Sequence, residues 1–278
     1  MATLTWTGGG DGTTFTDGDN WGGTAPSNDD TLIINSTNDN IDGAATGLTG
    51  ITFRVGSGFT GTLGSSTTYL DLDGPVLEFA AGAGGHYLTG TWTTVRLTGG
   101  SPSGNFLNFR GNASTDITTI NASSLSGTVT IQSSASLQDV NMTGRVDGTI
   151  VIESGVGSLA DLVCSSGTLQ TSTTATTASA LGGTIRTQGS AAITTAEVDS
   201  GGVFDHRSSG TITTLNVYDG IFDHRSNETA GFTLTNASVF TGGQILGDGP
   251  LDNVTYTNGI SMQGGRATFP IGSSVSVS

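Results

Sequence analysis

The sequence predicts an all-β chain: a single-stranded parallel β-helix, or solenoid, of about 11 coils with an N-terminal cap. Three observations carry that prediction. A short apolar template recurs at intervals of roughly 16–25 residues. A glycine-led second strand recurs in step with it. The composition is that of short strands and tight turns, with 45 glycines and only 5 prolines in 278 residues. A β-sandwich of short strands is the alternative. It accounts for the composition but not for the aligned register.

The template has apolar residues at i, i+3 and i+5, then a turn with glycine, then a second short strand. A first copy falls at Asp29/Leu32/Ile34, followed by Leu48/Ile51/Phe53, a weaker copy at Thr67/Leu70/Leu72, and Trp92/Val95/Leu97. Next come Ile117/Ile120/Ala122, Leu137/Val140/Met142, Leu159/Leu162/Cys164 and Ala175/Ala178/Ala180. Ile193/Ala196/Val198, Ile212/Leu215/Val217, Leu234/Ala237/Val239 and Leu251/Val254/Tyr256 complete the series. The second strand reads GTVTI at 127–131, GTIVI at 148–152, GTLQT at 167–171 and GTIRT at 183–187. It continues as GVFDH at 202–206 and GIFDH at 220–224. Alternation along a strand places Ile150, Leu169, Ile185, Phe204 and Phe222 on one inward stack. A single coil cannot bury its own apolar face. Stacking coils about 4.8 Å apart pairs the strands and builds a continuous core.

On this reading residues 1–47 form the N-terminal cap and first coil, 48–265 the parallel β-helix, and 266–278 a C-terminal strand or tail. The tail ends VSVS, an alternation able to pair with a neighbour's edge. In the cap, Trp6 and Trp21 cover the open end of the solenoid, which otherwise exposes apolar surface and an unpaired edge.

Composition excludes several functions. The net charge is −15, all eight basic residues are arginine, and no basic patch exists to neutralise phosphates, so no nucleic acid partner is expected. No apolar run reaches the roughly 18 residues of a membrane helix, so no membrane partner is expected. One cysteine, Cys164, rules out an internal disulfide framework. It aligns with Val198, Val217 and Val239 and reads as an unreactive core residue. The start MATLTWTGGG lacks the basic and apolar regions of a signal peptide, which fits synthesis in a cytoplasm. No nucleophile elbow, phosphate-binding loop or dinucleotide fingerprint is present, and no cofactor is expected.

The N-terminal run TWTGGGDGTTFTDGDNWGGTAPSNDDTLIIN carries a resemblance. Its Trp6, Gly8, Asn20, Trp21, Pro26 and Asp30 resemble the opening segment of some autotransporter-type adhesin passengers and phage-encoded β-helical proteins. There, a Trp-x-Gly start is followed by Asn-Trp, a Pro and an Asp before the first coil. The absence of a signal peptide and of a C-terminal stretch long enough for a membrane barrel departs from the autotransporter pattern. The chain looks more like a phage virion protein of the head decoration, head fibre, tail fibre or tail spike type. That resemblance implies a location in the virion and a non-enzymatic structural role in capsid decoration, as a cement or head-fibre protein. It also implies a homotrimer, with the major capsid protein or another virion protein as partner. The alternative it implies is a tail fibre or spike that binds a receptor or host surface glycan. A polysaccharide depolymerase is a third reading.

Chemistry concentrates in one place. Asp205-His206-Arg207 and Asp223-His224-Arg225 repeat the same Phe-Asp-His-Arg segment, from Phe204 and from Phe222. Two stacked outward carboxylates about 5 Å apart match the spacing of a retaining glycosidase. Asp205, Asp223, His206 and His224 are therefore the weak catalytic candidates. The structural alternative is a duplicated repeat unit, in which Arg207 and Arg225 offset the acids and the histidines sit near a turn. The apolar pair Val203 and Ile221 should point outward, and with Arg207, Arg225, Trp6 and Trp21 it makes the candidate interface set. His206 and His224 lack a third ligand in sequence, so no metal site is assigned. GGGDG at 8–12 matches a nonapeptide calcium repeat only once. Asp11, Asp17, Asp19, Asp29, Asp30, Asp39 and Asp42 offer oxygen ligands but suit turn caps better. His86 follows AAGAGG and reads as a loop residue.

Overall fold

The computed structural model describes residues 1–42, 45–110, 116–132, 136–157, 159–227, 231–247 and 254–269. Among them, nearly everything regular is strand, and the named strands pair in parallel. A single 3-10 turn at Gly18–Trp21 is capped by the Asp17 side chain and ended by Gly22 in the left-handed region. No helix of the described residues is long and apolar enough to cross a membrane. The chain is a parallel β-solenoid of about 10 turns. Parallel pairing overturns the sandwich alternative, because sandwiches are built from antiparallel sheets.

The coils divide into two compact units. One comprises Met1–Gln138, Arg145–Val151 and Gly155–Gly157; the other comprises Asp139–Gly144, Ile152–Ser154 and Ser158–Ser278. In the first unit one face stacks the strands Thr3–Thr5, Thr31–Ile34, Thr52–Val55, Gly74–Phe79, Trp92–Leu97 and the start of Asp116–Ile131. The inward columns are Leu32–Phe53–Leu77–Val95–Ile120 and, two residues on, Val55–Phe79–Leu97–Ala122. These side chains are fully or almost fully buried, each stabilising the fold by about 1.5–3 kcal/mol relative to exposure when a large side chain is involved.

Two template copies of the first unit are misplaced. Phe53 and Val55, not Ile51 and Phe53, occupy the two inward slots, so the copy at Leu48/Ile51/Phe53 is out of register by two residues. Ile51 is buried just ahead of its strand, and Leu48 belongs to the neighbouring face. The copy at Thr67/Leu70/Leu72 also lies on the other face, where Leu70 pairs with Leu88. The strand it displaced is Gly74–Phe79.

In the second unit the template holds over consecutive rungs. Leu159/Leu162/Cys164, Ala175/Ala178/Ala180, Ile193/Ala196/Val198, Ile212/Leu215/Val217 and Leu234/Ala237/Val239 pair slot for slot. Cys164 is fully buried in its column. The next rung departs: Tyr256 pairs with Leu234, and Ile260 and Met262 take the two following slots. Leu251, from the copy placed there, lies outside the described residues, as does the VSVS tail.

The opposite face of this unit stacks Thr168–Thr171, Thr184–Thr187, Gly202–His206, Gly220–Asp223, Gln244–Leu246 and Arg266–Thr268 in register. Glycine opens these strands because the corner is crowded: a Cβ on Gly202 would stand 2.2 Å from the Ala180 carbonyl oxygen. The same geometry recurs at Gly220, 2.6 Å from the Gly202 oxygen.

The cap is a small aromatic core. Trp6 meets Trp21 edge-on with centroids 5.1 Å apart, Trp21 meets Phe15 at 5.2 Å, and Phe15 meets Phe53 at 6.0 Å. Both indole N–H groups are satisfied, Trp6 donating to Asp39 Oδ2 at 2.9 Å and Trp21 to the Phe15 carbonyl at 2.6 Å.

Candidate functional site

The two Phe-Asp-His-Arg segments lie on adjacent rungs in exact register, Val203 opposite Ile221, Phe204 opposite Phe222 and Asp205 opposite Asp223. Strand alternation then sorts the side chains. Phe204 and Phe222 are inside and fully buried, with centroids 5.8 Å apart. Val203 and Ile221 are outside and half-buried.

The aspartates face outward but are not free. Asp205 Oδ2 accepts from Arg186 Nε at 2.8 Å, across one rung, and from Arg207 Nη2 at 2.8 Å. Its side chain is 12% exposed, covered by these guanidinium groups. Asp223 accepts from Arg225 Nε at 3.0 Å and Nη2 at 2.8 Å, and from the Arg225 backbone N–H at 3.0 Å. Burial alone would raise the Asp223 carboxyl, but these hydrogen bonds and the Arg225 charge outweigh it and hold it below the usual carboxylate range. A general acid for glycoside cleavage needs the opposite arrangement, a carboxyl kept protonated by a raised pKa.

The histidines sit where their strands run into the turn, His206 as the last strand residue and His224 directly after Asp223, but their side chains point inward and are buried at 0% and 2% exposure. The same slot holds Thr171 and Thr187 on the preceding rungs, both fully buried. His206 Nδ1 lies 2.7 Å from Thr187 Oγ1. His224 Nε2 lies 3.1 Å from the Tyr256 hydroxyl. Phe232 packs edge-on against both rings, at 4.3 Å from His206 and 5.5 Å from His224. Burial, followed by the neighbouring His224 charge, pushes His206 down to about 3. It is a neutral core residue, enclosed on a different side of the strand from the carboxylates it would have to serve.

His86 is corrected in the same sense. It opens the strand His86–Thr89, is fully buried, and lies among Phe59, Phe79 and Phe106. Its Nδ1 accepts from the Leu63 N–H at 3.3 Å and its Nε2 donates to the Ala83 carbonyl at 2.9 Å, which fixes the neutral tautomer. Burial lowers it to about 4.

Among the described residues, no three of His, Cys, Asp and Glu converge as a metal-binding group. The N-terminal acids are used within the chain. Asp11 accepts from the Thr13 and Thr14 N–H groups, and the Thr14 bonds together with these hold its carboxyl far below the usual range. Asp17 caps the 3-10 turn, Asp39 receives Trp6, and buried Asp30 accepts from the Ala2 and Ser27 N–H groups. Asp19, Asp29 and Asp42 do not gather with them into one ligand set, and Asp29 stands in the left-handed region at φ 65. Trp6 and Trp21, at 6% and 3% exposure, have their rings covered within their own chain.

Four partners escaped the sequence reading. Arg186 had a signal, since the alignment of IRTQ with FDHR puts it one rung from Asp205. Thr187 had the same signal. Phe232 and Tyr256 had none, because each reaches the histidines from outside the second strand.

No protein family model, no characterised protein and no solved structure matches the chain.

Proposed function

We propose that the chain is a non-enzymatic structural protein of a phage virion: a head decoration protein, of the cement or head-fibre type, that works through its outer faces. The observation that carries the non-enzymatic part is the Asp205–Arg186–Arg207 cluster. The Asp205–Asp223 ladder is neutralised by arginines on its own and adjacent rungs, and the histidines beside it are built into the core. The same device recurs in the first unit, where Glu78 bridges Arg54 at 2.9 Å and Arg96 at 2.8 Å along an outward column. Ion-paired outward columns on a repetitive core are suited to presenting a surface rather than to moving protons. The virion assignment is supported by the N-terminal resemblance around Trp6, Asn20, Trp21 and Asp30. The half-buried outward pair Val203 and Ile221 fits a subunit interface, and the resemblance supplies the trimeric form of that assembly.

The test is the amount of this chain in purified particles relative to the major capsid protein. A fixed ratio to the capsid lattice, with heat and low-salt resistance lost when the chain is removed, is the expected result. Absence from particles would overturn the reading. A tail-level ratio would favour the alternative, a fibre or spike that binds a receptor or glycan, toward which the exposed Tyr218 ring already points.

A further inference from the structure

We propose that Asn258 is a modification site, at which the chain converts its own asparagine to an aspartyl or isoaspartyl linkage and thereby loosens the last described rung of its first face. The chemistry needs an asparagine whose following backbone nitrogen can reach its side-chain carbonyl carbon. A side chain on the following residue obstructs that approach, and glycine has none. Asn258-Gly259 is the one Asn-Gly pair in the chain.

The fold presents this pair on a bulge. Leu234 and Ala237 are separated by two residues, as are Ile212 and Leu215, with which they pair on the preceding rung. On the following rung their partners are Tyr256 and Ile260, which are separated by three residues, Thr257, Asn258 and Gly259. Gly259 accommodates the extra residue at φ +75, a conformation that suits glycine. Thr257 and Asn258 still donate their N–H groups to the Leu234 and Thr235 carbonyls, both at 3.0 Å. The Gly259 N–H makes no hydrogen bond among the described residues. The nitrogen that must attack is thus the one the bulge leaves unused, and Asn258 beside it is exposed. Among the described residues, Thr255–Tyr256 and Ile260–Gln263 pair with Thr233–Phe240 alone. An edge held from one side opens at lower cost than an interior rung, which matters because Gly259 itself is buried.

The reaction balances without an oxidant or cofactor. The Gly259 nitrogen gives up its proton and bonds to Asn258 Cγ. The Cγ–Nδ2 bond breaks, and Nδ2 leaves with that proton as ammonia. Water then opens the resulting succinimide at either of its two carbonyls. One opening restores the ordinary backbone with an aspartate at position 258. The other routes the backbone through Cβ and Cγ, an isoaspartyl linkage longer by one carbon. Both products cut an amide chain that ties three rungs together. Asn258 Nδ2 donates to Asn236 Oδ1 at 2.7 Å, and Asn236 Nδ2 donates to the Thr213 carbonyl at 3.2 Å. A carboxylate has no donor for the Asn236 oxygen and adds negative charge to a chain already at −15. The isoaspartyl product also lengthens a segment that already carries one residue too many, which shifts Ile260 and Met262 from their places beside Ala237 and Val239.

Ageing the full chain in warm, mildly alkaline buffer tests this. Peptide mapping by mass spectrometry locates the conversion, and an isoaspartyl methyltransferase detects the isomer. A sample kept unfolded in urea gives the reference rate. We expect conversion of the folded chain within about tenfold of that reference, at position 258 ahead of every other asparagine and with isoaspartate present. Backbone amides of 257–263 should then exchange hydrogen at least about tenfold faster than in fresh chain, while those of Ile212–Val217 keep their protection. Asn258→Gln, which retains the amide but closes the ring poorly, should hold its exchange pattern through the same ageing. A folded chain left intact while the unfolded one converts, conversion led by another asparagine, or conversion with unchanged exchange would overturn the proposal. None of these outcomes bears on the ratio of the chain to the capsid protein, so the two proposals fail separately.

Discussion

Arg186 Nε and Asp205 Oδ2 stand 2.8 Å apart on consecutive rungs, so a residue of one coil neutralises the carboxylate of the next. Asp205 also holds Arg207, whereas Asp223 holds Arg225 and is more exposed, at 21% against 12%. Replacing Asp205 by Asn should therefore cost about 2 kcal/mol and Asp223→Asn about 1 kcal/mol, discounted for the partial exposure of the arginines. Urea midpoints at constant slope measure both. Equal effects would mean that the cross-rung partner contributes nothing.

Acid should loosen the coils in a defined window. His206 and His86 are held neutral, at about 3 and about 4, against an unfolded value near 6.5. A depressed folded value means that stability is fully present above pH 6.5 and is lost as pH falls toward the folded values. The loss by pH 4 reaches at most about 3 kcal/mol for each. Relief of the −15 self-repulsion acts in the opposite sense once carboxylates protonate, so the interval from pH 6.5 to 5 is the clean one. His206→Thr, which restores the residue found in that slot on two earlier rungs, should reduce the pH dependence of the thermal midpoint across it by about half, His86 supplying the rest. An unchanged slope would place the acid sensitivity elsewhere.

Cys164 should be silent to thiol reagents until the chain unfolds. Burial pushes its thiol up to about 11, and its neighbours in register are Met142 and Ala180. Cys164→Val, matching Val198, Val217 and Val239 further along the column, should change stability by less than about 1.5 kcal/mol. Disulfide-exchange titration with and without denaturant checks the first claim, and rapid labelling of the native chain would contradict it.

Ser200 is strained. It has φ 54, immediately before Gly201 at φ 77. Ser200→Asn tolerates this conformation better without the entropy cost of glycine, and should raise stability by a few tenths of a kcal/mol to about 1. Thermal unfolding reads the sign directly.

The parts of the fold most legible in sequence were those where repetition was strict. From Leu159 to Val239 each template residue fell into its slot, because each copy lies within one strand of the same face and keeps its inward alternation whatever the length of the connection. In the first unit the loops vary, and Ile51 mimics a strand residue because it is buried in a corner. The burial of the histidines was hidden for another reason. Alternation from Phe204 already placed His206 inward, but an ionisable residue inside a core is expensive unless neutral. Its acceptability depends on Thr187 and Phe232, whose contribution is spatial. The carboxylate ladder was visible, while its neutralisation across rungs became readable only once Arg186 and Asp205 were seen to share a slot.

The Thr187–His206 contact has a bearing on assembly as well as on stability. A stack of near-identical coils lacks a built-in ruler: an apolar rung mates almost as well with the wrong neighbour as with its own. In this column Thr171 and Thr187 precede His206 and His224, so the hydroxyl–imidazole contact marks the one step at which threonine gives way to histidine. A shift that set a histidine against an apolar rung would bury the imidazole without that partner. A polar column inside the core thus adds a landmark to an otherwise repetitive stack.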